Sequence, residues 1–147
     1  MKKEMIYIAY GSNMNIEQMK IRCPKAIPIG KGILKNYKLV FRGVADIIKS
    51  AGDEVPIAVW KITEECEKAL DRYEGFPHMY RKENVTIEIE GKEIEGMVYI
   101  MNRGNIAPPN YYYYNVINEG YKDFKISTET LKRAYKESCQ ARNIITK

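Results

Sequence analysis

Histidine occurs once in the 147 residues, at His78, and cysteine three times, at Cys23, Cys66 and Cys139, never as Cys-x-x-Cys. A structural zinc site takes about four such ligands at close spacing. No metal of that kind is therefore expected, and the chemistry should need no metal and no other cofactor. Three widely separated thiols read as reduced, two of them facing the core. No apolar run approaches the roughly 18 residues of a membrane helix, so no membrane association is expected. The start, Met1-Lys2-Lys3-Glu4, leads straight into a short strand, without the apolar segment and cleavage site of a signal peptide. The expected location is cytoplasmic. The net charge of +5 is modest, with a mild lysine excess from Lys132 to Lys147 that reads as a solvated helix face. A dense basic stripe is missing, so nucleic acid is not an expected partner.

What is present is an ordinary globular composition, 45% hydrophobic and 29% charged. It suits a single domain over residues 1–147 with one core. Residues 5–10 read as a strand buried on both faces. Asn15 to Arg22 reads as a short helix capped by Asn13 or Asn15 and stopped by Pro24. Ile27 to Leu34 and Tyr37 to Phe41 read as two extended stretches around a turn at Lys35-Asn36. Gly43 to Glu54 reads as a loop, and Val55 to Ile62 as a strand anchored by Trp60. Thr63 caps a helix whose Cys66, Ala69, Leu70 and Tyr73 form one apolar stripe, and Gly75 ends it as a left-handed cap. Asn84 to Glu90 alternates like a half-exposed strand, turns at Gly91-Lys92 and returns over Glu93 to Met101. Asn110 caps a helix from Tyr111 to about Asn118. A last helix runs from Thr128 to about Arg142, with Leu131, Ala134, Tyr135, Ser138 and Cys139 as its stripe. Strands so close in sequence leave no room for the crossover helices of a doubly wound parallel sheet. The expected class is α+β: a small, mixed, mostly antiparallel β-barrel with short helices.

Two stretches carry the chemistry. The first strand closes in Tyr10-Gly11-Ser12-Asn13, and a strand ending in Gly-Ser-Asn presents successive backbone N–H groups that favour negative charge. Leu70-Asp71-Arg72-Tyr73-Glu74-Gly75 puts Glu74 in the last turn of a helix, near the core beside Tyr73 and Leu70. Together they describe an oxyanion site faced by one acid/base. Taken singly, Gly-Ser-Asn is most often only a turn and a glutamate at a helix end is usually solvated. Tyr111-Tyr112-Tyr113-Tyr114 cannot all face one way on a helix, so at least one is exposed. His78 reads as a loop residue near the pocket mouth.

The order of several short motifs adds to this. Tyr10-Gly11-Ser12-Asn13-Met14, Arg22-Cys23-Pro24, Gly43-Val44-Ala45, Tyr73-Glu74-Gly75 with Tyr80, and Tyr113 ahead of Gly120 are spread over nearly the whole chain. With them the chain resembles the gamma-glutamylcyclotransferase-like proteins, a group that includes plant proteins named for avirulence induction. The resemblance implies the same barrel fold and a small γ-glutamyl substrate, an amine, amino acid or peptide conjugate. It also implies cyclisation of that substrate to 5-oxoproline with release of the amine. Glu74 is then the catalytic residue, and Tyr10, Gly11, Ser12, Asn13, Tyr80 and Tyr113 bind substrate. Arg22 or Arg81 is left to take the substrate α-carboxylate, and the loops 43–54 and 102–110 to set specificity. The leaving amine and the oligomeric state stay open. The rival reading is a non-catalytic module of the same fold that binds a small carboxylated ligand, which has no need of an isolated acid/base at Glu74. A weaker one is a tyrosine-rich nucleic-acid binder, which the low charge opposes.

Overall fold

The computed structural model describes residues 5–146, with side chains placed as far as Arg142. Five strands, β1 (Met5–Ala9), β2 (Ile27–Phe41), β3 (Ala45–Ile62), β4 (Tyr80–Ile89) and β5 (Lys92–Met101), close a barrel in the order β1-β3-β2-β4-β5. All pairings are antiparallel except β1 with β5, which meet at Tyr7 and Met97. Helices α1 (Ile16–Arg22), α2 (Glu64–Glu74), α3 (Tyr111–Asp123) and α4 (Glu129–Thr146) surround it. This is the mixed, mostly antiparallel barrel expected. Its core is aliphatic with Trp60, Phe41 and Tyr121 as the bulkiest members.

The caps follow the sequence. Asn15 accepts from the Gln18 N–H at 3.0 Å to start α1, and Thr63 from the Cys66 N–H at 3.2 Å to start α2. Asn110 accepts from the Tyr113 N–H at 2.8 Å to start α3. Gly75 ends α2 at φ 67°, a left-handed cap that returns its N–H to the Arg72 carbonyl. Gly120 has a different reason to be glycine. A Cβ there would stand 2.7 Å from the Met14 carbonyl carbon and 2.8 Å from the Asn15 nitrogen. Its absence lets α3 lie directly on the turn that follows β1.

Three expectations differ from the structure. The stretches 27–34 and 37–41 are one strand, β2, which carries an irregularity between Lys35 and Tyr37 with Asn36 at φ 66° in place of a turn. The expected loop 43–54 is, from Ala45 on, the first half of β3, paired with β2 from Phe41↔Ala45 to Tyr37↔Lys49 and again at Lys35↔Glu54, with 50–53 outside the register. Most of residues 48–54 are exposed, so polarity there mimics a loop. Helix α3 also runs on to Asp123, past Asn118, burying Gly120 and Tyr121.

The cysteines need a correction as well. Cys23 and Cys66, expected to be reduced, form a disulfide with their Cα atoms 5.0 Å apart, and Cys139 is free. Cys23 closes α1 and Cys66 lies in the first turn of α2, so the bond ties together two helices that frame the site. Their separation of 43 positions hides the pairing from a search for close spacing. Cross-linking a loop of that length restricts the unfolded chain by on the order of 4 kcal/mol. The Cys23→Ser/Cys66→Ser variant should therefore unfold at a clearly lower denaturant concentration than the oxidised protein. Equal midpoints would show that the bond contributes nothing.

Candidate active site

The C-terminal end of β1 opens into a cavity of about 250 Å³. All seven residues singled out from sequence, Tyr10, Gly11, Ser12, Asn13, Glu74, Tyr80 and Tyr113, line it. They arrive on four separate elements. Tyr10 to Asn13 leave β1 through a 3-10 turn at Ser12–Met14, Glu74 ends α2, Tyr80 starts β4 and Tyr113 stands in the first turn of α3. The leading N–H groups of such a turn have no acceptor within it. Gly11 takes φ −122° and ψ −134°, so positive φ is not what calls for glycine here. Space is: a Cβ on Gly11 would lie 3.1 Å from the Ala45 Cβ and 3.4 Å from the Tyr113 hydroxyl.

The tyrosines are tied to backbone in ways that decide what their hydroxyls can still do. Tyr10 donates to the Tyr99 carbonyl at 2.7 Å and Tyr80 to the Ala45 carbonyl at 2.9 Å. Each has given up its only proton, so each presents lone pairs alone. Tyr113 accepts from the Ala45 N–H at 3.0 Å and keeps its proton. Burial holds all three phenols above their ordinary range, and the neighbouring Glu74 carboxylate adds to the effect. They are neutral hydrogen-bonding groups at any working pH.

Glu74 is half-buried. Desolvation raises its carboxyl pKa to about 7, against the opposing pull of the Arg22 guanidinium. The Asn13 amide links it to the floor of the cavity, donating to the Tyr7 hydroxyl at 2.9 Å and more loosely to Glu74 Oε1 at 3.5 Å. The Asn13 carbonyl in turn accepts from Trp60 Nε1 at 3.1 Å, which moors the turn to β3. Ser12 Oγ shares a 2.9 Å hydrogen bond with the Tyr73 hydroxyl.

Several expected members are elsewhere. Arg22 does not line the cavity; it lies behind Asn13 and over the Tyr73 ring. Arg81 pairs with Glu83 and donates to the Met101 carbonyl outside it. No described lysine or arginine lines the cavity. From the expected specificity loops only Val44 and Ala45 reach it. The 102–110 segment is pinned to the outside of the β2–β3 turn instead, where Ala107 exchanges hydrogen bonds with Phe41 and Gly43. His78 is exposed and not in the lining, whereas Met79 beside it is. Tyr73, placed on the apolar stripe of α2, is 44% exposed and forms part of the rim.

Sequence reasoning missed Tyr7, Tyr99 and Met79. Tyr7 and Tyr99 sit edge to face, with ring centroids 5.9 Å apart, and the Tyr99 hydroxyl donates to Asp71 at 2.6 Å. The available signal was a tyrosine inside an otherwise aliphatic two-sided strand, since a buried phenol needs a polar partner.

A mixed closed barrel with one raised carboxylate facing a Gly-Ser-Asn turn, and neutral hydroxyls and the Asn13 amide for the rest of its polar lining, describes a cavity of small-molecule size. Residues 7–121 match the family described as gamma-glutamyl cyclotransferase, AIG2-like. The gamma-glutamylcyclotransferase of Bos taurus is 34% identical over 145 residues, covering 89% of this chain and 77% of the bovine one. That of Homo sapiens is 34% identical over 140 residues, covering 83% and 72%. Among solved structures, one described as gamma-glutamyl cyclotransferase superposes with a TM-score of 0.81 at 29% identity, covering 90% of this chain and 86% of the other. An uncharacterised Homo sapiens protein superposes with a TM-score of 0.82 at 31% identity, covering 89% and 86%. The chain belongs to the gamma-glutamyl cyclotransferase family.

Proposed function

We propose that Glu74 carries both proton transfers of a γ-glutamyl cyclotransfer in this cavity. The reaction is intramolecular: the free α-amine of a γ-glutamyl amine, amino acid or peptide attacks its own γ-carbonyl, giving 5-oxoproline and the released amine. Holding the substrate folded supplies the proximity term, worth roughly 7–11 kcal/mol in favourable cases. Glu74 takes a proton from the α-ammonium, the nitrogen attacks the γ-carbon, and negative charge develops on the γ-oxygen. The backbone N–H groups of Gly11, Ser12 and Asn13 receive that charge. The carbon–nitrogen bond to the leaving amine then breaks as Glu74 returns the proton to it, and the second proton of the attacking nitrogen passes through the same carboxyl to the departing amine, which leaves as an ammonium. Substrate atoms and protons balance without water.

The tyrosines divide the remaining work by their free valences. Tyr80 and Tyr10 offer only lone pairs and suit the ammonium group; Tyr113 still has a proton and suits a substrate oxygen. With no cationic side chain among the described residues of the lining, the α-carboxylate meets hydroxyl and backbone donors. A cytoplasmic location belongs to the same reading.

The observation that carries this reading is the placement of the Glu74 carboxyl in one cavity with the Gly11–Asn13 turn and neutral hydroxyls, where burial raises it to about 7. A base of ordinary glutamate pKa is poorly matched to an ammonium, and one near 7 is better matched. Substrate linkage provides the test. At least one γ-glutamyl compound with a free amine should yield 5-oxoproline, and its N-acetyl and α-linked counterparts should yield none. Release of the amine from the N-acetyl compound would show a water nucleophile and an amidase.

A further inference from the structure

Arg22 is bound on three sides without touching the cavity. Its guanidinium lies 3.6 Å from the centroid of the Tyr73 ring, Nη2 donates to Gln18 Oε1 at 2.8 Å, and Nη1 donates to Asn13 Oδ1. The last contact has a consequence for Glu74. An amide has one acceptor end and one donor end. With Oδ1 held by Arg22, Nδ2 is turned towards the Tyr7 hydroxyl and the Glu74 carboxylate. Reversing the amide would set two acceptors against each other at Glu74 and two donors against each other at Arg22. The same guanidinium covers Tyr73, the residue before Glu74, whose hydroxyl meets Ser12. One side chain thus bears on both halves of the site, the Ser12–Asn13 turn and the end of α2.

We propose that Arg22 is a positioning residue for the cyclotransfer, orienting the Asn13 amide and the Tyr73–Glu74 end of α2 so that the carboxylate is held towards the substrate. The inference rests on Glu74 being the acid/base. It removes Arg22 from the role of α-carboxylate receptor, because its donors are already directed at Asn13 and Gln18. An electrostatic consequence accompanies the geometric one. Glu74 is faced by Tyr7 from β1, Tyr10 from the turn after it, Arg22 from α1, Tyr73 from its own helix, Tyr80 from β4 and Tyr113 from α3. Of these, Arg22 supplies the charge that favours the ionised carboxylate against its burial.

The experiment is a pH profile of kcat/KM for wild type, Arg22→Met and Arg22→Lys on one γ-glutamyl substrate, with thermal midpoints to establish folding. In Arg22→Met the ascending limb should move up by about one pH unit. The rate on the plateau should fall by on the order of 10²-fold, in kcat rather than KM. Arg22→Lys retains the charge and not the planar fork. It should restore the limb to its wild-type position and leave kcat low, and it serves as the test if the methionine variant does not fold. A raised KM with kcat and the limb unchanged would overturn the proposal and make Arg22 a substrate ligand; wild-type behaviour in either variant would overturn it too. Failure of the underlying reading is separately visible, since an active Glu74→Gln enzyme would remove the acid/base whatever Arg22 does.

Discussion

Glu74→Gln should lower kcat by about 10³-fold or more, because one carboxyl is asked to take a proton and then to return it. Glutamine matches its size and keeps a polar end beside Asn13, but it cannot cycle a proton. The wild-type kcat/KM should rise as pH passes through about 7, where the carboxyl ionises. Stability should move the other way. A carboxyl pKa raised by folding means that the native state holds its proton where the unfolded chain has lost it. The native state is therefore disfavoured progressively between the ordinary glutamate value and about 7, fully so above it. At pH 8 the glutamine variant should be more stable than wild type, by on the order of 2 kcal/mol; near pH 4 the two should coincide. Full turnover in the purified variant would end the assignment, and a stability difference of the opposite sign would deny the burial of the charge.

Gly11→Val should be almost as damaging, for a steric reason. The position has room for a Cβ only at 3.1 Å from Ala45, and the branched methyls of valine extend further. Ala45 is the worst neighbour to displace, since its N–H and carbonyl hold Tyr113 and Tyr80. One substitution thus disturbs the turn and two tyrosines together. The expected loss in kcat/KM is on the order of 10²-fold or more, with overpacking that lowers stability by about 1–3 kcal/mol. Ser12→Ala, by contrast, removes a hydroxyl bonded to Tyr73 and leaves the turn's N–H groups in place. It should cost less than about tenfold. Equal losses in the two variants would mean that the Ser12 hydroxyl takes part in the chemistry.

How far the molecule could be read from its sequence depends on whether the signal was local. The turn after β1, the capped end of α2 at Gly75 and the capped start of α3 at Asn110 are each written within a few residues. They placed Gly11 to Asn13, Glu74 and Tyr113 at element ends, and the structure brings those ends together at one cavity. Features made by distant parts meeting were not legible. The Cys23–Cys66 bond joins positions with no spacing signature. Tyr7 looks like one more core residue of a two-sided strand until Asn13 is seen at its hydroxyl. Residues 48–54 have loop composition because they are largely exposed and 50–53 have no partner in the register with β2, so no apolar alternation marks them. Arg22 could be assigned to substrate only while Asn13 and Tyr73 were not known to occupy it.

The central claim is that the nucleophile is the substrate's own amine. Turnover of a γ-glutamyl amino acid in ¹⁸O-enriched water, with the glutamyl product weighed by mass spectrometry, tests it directly. The account predicts 5-oxoproline carrying no label from solvent, formed in equal amount to the released amine and lost in Glu74→Gln. Glutamate bearing one solvent ¹⁸O as the primary product would contradict it.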